Sequence, residues 1–296
     1  MIRLIASDLD GTLLQNGAQV LSPEIFKLIP ALKKKGIHFI AASGRQYANL
    51  RRLFALLQDE ISYIAENGSL CVHEGKVVSS GQIDRGLANE IILDARHQPD
   101  CSLLYSSPKK CYVEKGNDRL YDHIKNHVRY DVEMVEDLTT LDALCLKVAI
   151  CNFDGAHLSF DYFRGKYKDR IKIVTSGNIW FDFIAPNADK GMGLKAIASH
   201  LGVLPDECMT FGDQYNDIEM LSFTPHSYAM ANCAEGVERY AAHQTETVEE
   251  QLRSRESLFT WGPRMTQYRL RSVGSGIGPE TLAPVFWAVS TMRRVD

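Results

Sequence analysis

Two aspartates, Asp8 and Asp10, stand two residues apart in the segment DLDGT, directly after the apolar run Ile2 to Ala6. An extended strand places alternate residues on one face, so the two carboxylates would share it. Gly11 then lets the chain turn sharply behind them. Crowded carboxylates with no lysine or arginine beside them in sequence invite a hard divalent cation with oxygen ligands. Aspartates that cap or close a turn give the same pattern.

Four further segments carry comparable groups. Ser43-Gly44-Arg45 offers a hydroxyl and backbone N–H groups at a helix start, a cradle for phosphate oxygens or an ordinary helix entry. Glu66-Asn67-Gly68 reads by itself as a turn. Lys190, in NADKGMG, falls at a helix start, where the positive end of the helix dipole disfavours it. That conflict suggests a task, such as neutralising a phosphate. In GDQYND, Asp213 and Asp217 are four apart, close enough to face one cation from a strand end and the next helix turn, although a capping aspartate has the same spacing.

The elements that must position these groups follow from apolar periodicity. Ile2 to Ala6, Ile37 to Ala42 and Ile61 to Ala65 read as buried parallel strands. Between them lie a helix opened by Ser22 and Pro23 and stopped at Gly36, and another from Tyr47 to Leu57. The alternation resumes with a helix at Lys190 to Leu201, a strand at Cys208 to Phe211, a helix at Asn216 to Leu221 and a strand at Ser227 to Met230. Every segment above then sits at the carboxyl end of a parallel strand, where ligands bind in such folds.

The middle has another texture. Strands are expected at Leu103 to Ser106, Cys111 to Lys115, Ala143 to Cys151, Ile171 to Thr175 and Ile179 to Ile184, with helices at Leu87 to Arg96, Asp118 to His127 and Gly155 to Lys168. The fold class is therefore α/β: a doubly wound, Rossmann-like parallel-sheet core, residues 1–81 and 184–252, with an inserted α+β domain at 82–183. Residues 253–296 show no clear period and read as a tail outside the core.

Composition narrows the function classes. The net charge of -4 and pI near 6.2 provide no basic footprint for nucleic acid or an anionic membrane surface. No apolar stretch approaches the ~20 residues that span a bilayer, and Asp8 and Asp10 interrupt what would be the apolar region of a signal peptide. Seven scattered cysteines with no CxxC pair point to reduced thiols and a cytoplasmic setting rather than to disulfides or zinc. His38, His73 and His200 read as packing or solvent-facing residues.

Taken together, DLDGT, SGR, the lysine of ADKG and GDQYND match, in order, the four motifs of the haloacid dehalogenase superfamily of phosphatases. The long insertion resembles the large α/β cap of the Cof-type (C2B) subgroup, which acts on sugar phosphates and similar small phosphoesters. The resemblance covers roughly residues 1–250.

It implies that Asp8 is the nucleophile that forms an aspartyl-phosphate, and that Asp10 is the acid and base. Mg²⁺ would be held by the Asp8 side chain, the Asp10 backbone carbonyl and Asp213, with Asp217 close by. Ser43 and Lys190 would hold phosphoryl oxygens, assisted by Asn216, with backbone N–H groups at Leu9 and Asp10 and the Gly44 turn completing the cradle. Arg45 and Asn67 match positions bordering the substrate, with Asn187 a weaker one. The partner implied is a small phosphorylated metabolite. A phosphomutase and a catalytically silent phosphate binder are the alternatives. Tyr105, Lys109, Lys147, Phe181 and Asp182 are the unranked candidates for choosing the leaving group; substrate and oligomeric state are not legible.

Overall fold

The computed structural model describes residues 1–14, 18–175 and 178–245. The expected tail at 253–296 lies outside the described residues. Two sheets organise the rest.

The first sheet begins with β1 (Leu4–Asp8), buried at every position. Its alternate residues feed opposite faces. Leu4 and Ala6 pack with Ile40, Ala42 and Ile64, while Ile5 packs with Phe39, Ala41 and Tyr63. Covering both faces is what a near-continuous apolar strand requires. Next come α1 (Ile25–Lys34), β2 (His38–Ala42), α2 (Tyr47–Leu53) and β3 (Ser62–Ala65). Ile25, Leu28, Ile29 and Leu32 form the buried stripe of α1.

That helix starts later than Ser22-Pro23 predicts. The Ser22 hydroxyl turns to the Glu24 carboxylate and the Glu24 N–H, so it caps no first-turn amide. α2 is shorter than expected because Phe54 and Leu57 leave the helix to enter the core. β4 (Leu70–His73) and β5 (Lys76–Ser80) add an antiparallel hairpin to the edge, so the sheet is mixed rather than wholly parallel. At its other end His38 Nε2 and His73 Nδ1 each lie 2.8 Å from the Ser62 hydroxyl.

The second sheet follows α3 (Arg85–Ala95), with β6 (Ser102–Ser106), β7 (Cys111–Glu114), α4 (Asp118–Asp122), β8 (Val132–Val135), β9 (Lys147–Cys151), α5 (His157–Tyr167), β10 (Lys172–Thr175) and β11 (Trp180–Ile184). Its order is β10-β11-β9-β6-β7-β8, antiparallel apart from the β7–β8 pair. Phe163 and Tyr167 of α5 pack on Phe181 and Phe183, each ring contributing about 1.5–3 kcal/mol by burial. The helix expected through His127 changes after Asp122 to a wider π-helical turn, closed by Arg129 at φ +62°.

α6 (Lys190–Leu201), β12 (Cys208–Gly212), α7 (Ile218–Leu221), β13 (Ser227–Met230) and β14 (His243–Thr245) complete the first sheet, whose order is β14-β13-β12-β1-β2-β3-β4-β5. β1 pairs in parallel with β2 on one side and β12 on the other. The chain thus leaves β1 in one direction and returns in the other, which opens a crevice at its carboxyl end. Asp8 is the residue at that end.

Candidate active site

Each motif reaches the crevice for a local reason. Asp8 closes β1, and Leu9 behind it is fully buried, its carbonyl accepting the N–H groups of Leu13 and Leu14 at 2.9 and 2.7 Å. The chain reverses at Gly11, whose φ is +91°. A Cβ there would stand 2.2 Å from Asp213 Oδ2, so only glycine serves both the turn and the close approach. Lys190 opens α6, with Asp189 as N-cap accepting the Met192 N–H at 2.7 Å. Asp213 follows β12, and Asp217 ends the short 3₁₀ turn after it.

The structure brings these groups together. Lys190 Nζ donates to Asp8 Oδ1 at 2.5 Å and to Asp217 Oδ1 at 2.6 Å. The other Asp217 oxygen accepts the N–H groups of Asp213 and Gln214, both at 3.0 Å. Asp213 Oδ1 accepts from Thr12 Oγ1 at 3.2 Å. One carboxylate oxygen from each of Asp8, Asp213 and Asp217 lies within 4.8 Å of the others, and all three residues are buried.

Electrostatics point one way. Burial, then Asp217, push the Asp8 carboxyl well above the ordinary carboxylate range, against the pull of Lys190. Burial and Asp217 likewise push Asp213 up to about 6. For Lys190, burial works against the ammonium, but Asp217 and Asp8 outweigh it and raise its pKa. Three carboxylates against one ammonium leave two formal negative charges uncompensated. An all-oxygen donor set with that surplus fits a hard divalent cation.

Asp10 stands apart, about one-third exposed. Arg45 grips it from Nε and Nη2 at 2.7 and 2.5 Å. Arg45, expected at the substrate border, faces Asp10, the Ala18 carbonyl and Asn49. Ser43 is buried; its hydroxyl accepts the Arg45 N–H at 3.2 Å and its carbonyl accepts the Asn67 N–H at 3.1 Å. Gly44 packs against the Asn67 amide, where a Cβ would meet Asn67 Oδ1 at 2.9 Å.

A second buried ion cluster lies where the two sheets meet. Lys147 of β9 reaches Glu66 Oε2 at 2.7 Å, Asp182 Oδ2 at 3.5 Å and the Gly44 carbonyl at 3.0 Å. Lys147 and Asp182 thereby separate from the other leaving-group candidates: Phe181 and Tyr105 belong to the second sheet's apolar cluster. Sequence reasoning missed Glu66, quoted only as part of a turn, and Thr12. Neither has a signal of its own in the sequence, since each matters through a partner more than 80 residues away.

Comparison with known proteins agrees with this geometry. The family model for haloacid dehalogenase-like hydrolases matches residues 5–251. The 5-amino-6-(5-phospho-D-ribitylamino)uracil phosphatase YbjI of Escherichia coli is 29% identical over 243 residues, 80% of this chain and 88% of that protein. The HMP-PP phosphatase of Cronobacter sakazakii is 27% identical over 248 residues, 78% and 85% of the two chains. Among solved structures, a haloacid dehalogenase-like hydrolase from B. subtilis shares the fold with a TM-score of 0.74 at 22% identity, covering 84% of this chain and 96% of its own. The chain belongs to the haloacid dehalogenase-like hydrolase family.

Proposed function

We propose that this phosphatase cleaves small phosphomonoesters with Asp8 as nucleophile, Asp10 as acid and base, and Mg²⁺ held by Asp8, the Asp10 carbonyl and Asp213, with Asp217 beside them. The observation that carries the reading is the buried Lys190 ammonium, fixed between Asp8 and Asp217 with Asp213 within cation reach.

In the first step an Asp8 oxygen forms a bond to phosphorus while the ester P–O bond breaks, and Asp10 gives its proton to the departing oxygen. In the second, water attacks the aspartyl-phosphate and yields its proton to Asp10, releasing phosphate and restoring Asp8. Dividing one displacement into two lowers each barrier. Lys190 orients Asp8 and balances charge on the phosphoryl oxygens, while Asp217 holds Lys190 in place through its backbone-anchored carboxylate. Ser43, the N–H groups near Leu9 and Gly44, and Asn216 complete the cradle. Arg45 sets the resting position of Asp10, and one Asp10 oxygen must leave it for proton transfer. Mg²⁺, when bound, would neutralise charge on the nucleophile and the phosphoryl group.

Residues 1–81 and 184–252 serve as the catalytic core, and residues 82–183 as a cap whose Lys147 and Asp182 touch the core loops. The substrate is a small phosphorylated metabolite, as for the two named relatives.

A phosphate-release screen over sugar phosphates, nucleotides and cofactor phosphates tests this, run with Mg²⁺ and with EDTA. Activity with Mg²⁺ and none with EDTA is expected, together with stabilisation of about 2–3 kcal/mol by Mg²⁺ at a hundred times its Kd. Turnover that survives EDTA would remove the metal from the scheme. No release from any ester would sink the reading.

A further inference from the structure

A hydrogen-bonded relay crosses from the second sheet into the site. Asp182, on β11, accepts Asn67 Nδ2 at 3.0 Å, and Asn67 Oδ1 accepts Asn216 Nδ2 at 2.9 Å. The polarity of this relay is fixed at one end. A carboxylate offers only acceptors here, so the Asn67 amide must turn its NH₂ toward Asp182. Its carbonyl then faces Asn216, and Asn216 must answer with its own NH₂. Asn67 has little freedom to do otherwise: it is 1% exposed, held at φ +56°, and packed against Gly44.

The consequence falls on Asn216 Oδ1, which is buried and has no partner among the described residues. A buried acceptor left alone costs roughly 1–3 kcal/mol, which marks a place for a donor. Ionised phosphoryl oxygens accept and cannot supply one. A hydroxyl or N–H of the leaving group can, and the second Asn216 amide hydrogen stays available for a phosphoryl oxygen. Asn67 and Asn216 also line a cavity of about 220 Å³ between the sheets, with Phe160, Lys172, Thr175 and Tyr215 around it. Ile173, Val174 and Ile184 complete walls that are about evenly polar and apolar, which suits a carbon chain that carries hydroxyls.

We propose that Asp182 and Asn67 are positioning residues that lock Asn216 with its carbonyl presented, so that the enzyme prefers phosphoesters whose leaving group carries a hydrogen-bond donor near the ester. This rests on the phosphatase reading above, which release of phosphate from p-nitrophenyl phosphate checks separately.

The test compares kcat/KM for ribitol 5-phosphate and pentyl phosphate, the same carbon chain with and without hydroxyls, in the full chain. The wild type is expected to prefer the polyol ester by tenfold or more. Asp182→Ala and Asn67→Gly should each lower that ratio about tenfold. Glycine keeps the left-handed backbone accessible at position 67 while deleting the amide, so this variant does not depend on repacking around Asp182. The double variant should fall no further than either single, because both break one chain. Merely structural roles would lower both esters together and add. A wild-type ratio near one, an unchanged ratio in the variants, or additive losses overturns the relay. A wild type that hydrolyses p-nitrophenyl phosphate but shows one of those outcomes loses the relay alone; one that hydrolyses no ester loses both readings.

Discussion

Among the described residues two buried lysines sit among carboxylates, and their surroundings differ in one respect. Lys147 spans the sheets, donating to the Gly44 carbonyl and pairing in charge with Glu66 and Asp182. Lys190 meets Asp8 and Asp217 at shorter range, yet a third carboxylate, Asp213, stands in the same group. By formal count the first cluster keeps one negative charge in excess and the second keeps two. The same residue types therefore make a fastening in one place and a receptive site in the other. What separates them is the count of carboxylates and the strand ends that deliver them.

The sharpest way to break that contrast is at Asp8. Asp8→Asn should lower phosphate release by on the order of 10³-fold or more, as loss of a nucleophile does. It should not lower the melting temperature, because burial already holds the Asp8 carboxyl well above its ordinary range and the change removes a buried charge. Activity that survives in this variant would remove Asp8 from the nucleophile's place.

At the cluster that bridges the sheets the order of effects reverses. Lys147→Met should cost about 3–5 kcal/mol in urea unfolding, the usual effect of stranding a buried charge, here that of Glu66. Pairing it with Glu66→Gln should recover most of that loss. A cost below about 1 kcal/mol would mean that Lys147 is no fastening.

The smallest effect lies at the far end of the sheet, remote from both clusters. Burial, and His73 next to it, lower the His38 pKa to about 4. The unfolded chain, with a pKa near 6.5, binds the proton more readily. The stability held by neutral His38 is therefore complete above about pH 6.5 and is lost as pH falls toward 4, up to about 3 kcal/mol. His38→Gln should flatten this part of the stability–pH curve without altering the release of phosphate near neutral pH. An unchanged curve would place the acid sensitivity elsewhere.

The site was legible in the sequence where chemistry coincides with a strand end. Asp8 and Asp213 each follow a parallel strand, and parallel packing gathers such ends into one crevice; Lys190, expected after a parallel strand too, instead opens the helix that follows β11 of the antiparallel sheet. Arg45 was legible as a site residue but not in its direction, because its partnership with Asp10 depends on how the chain folds back after Gly11. The Glu66–Lys147–Asp182 cluster was not legible as a unit. Its members come from a loop and two strands far apart in sequence, and each alone reads as an ordinary charged residue. The edge hairpin shows the same limit for the fold: β4 and β5 are short, and β5 is largely exposed, so little apolar pattern distinguishes them.

The place of β1 in the middle of its sheet also sets a schedule for biosynthesis. Leu4 pairs with His38 on one side and with Cys208 on the other. One of the two neighbours of the strand that carries Asp8 is made about 200 residues after it, which at ~5–20 residues per second is a delay of ten seconds or more. Through that interval an apolar strand waits with an open edge. Slowing synthesis within the stretch before Cys208 should therefore increase aggregation of the nascent chain, whereas slowing it after Met230 should not.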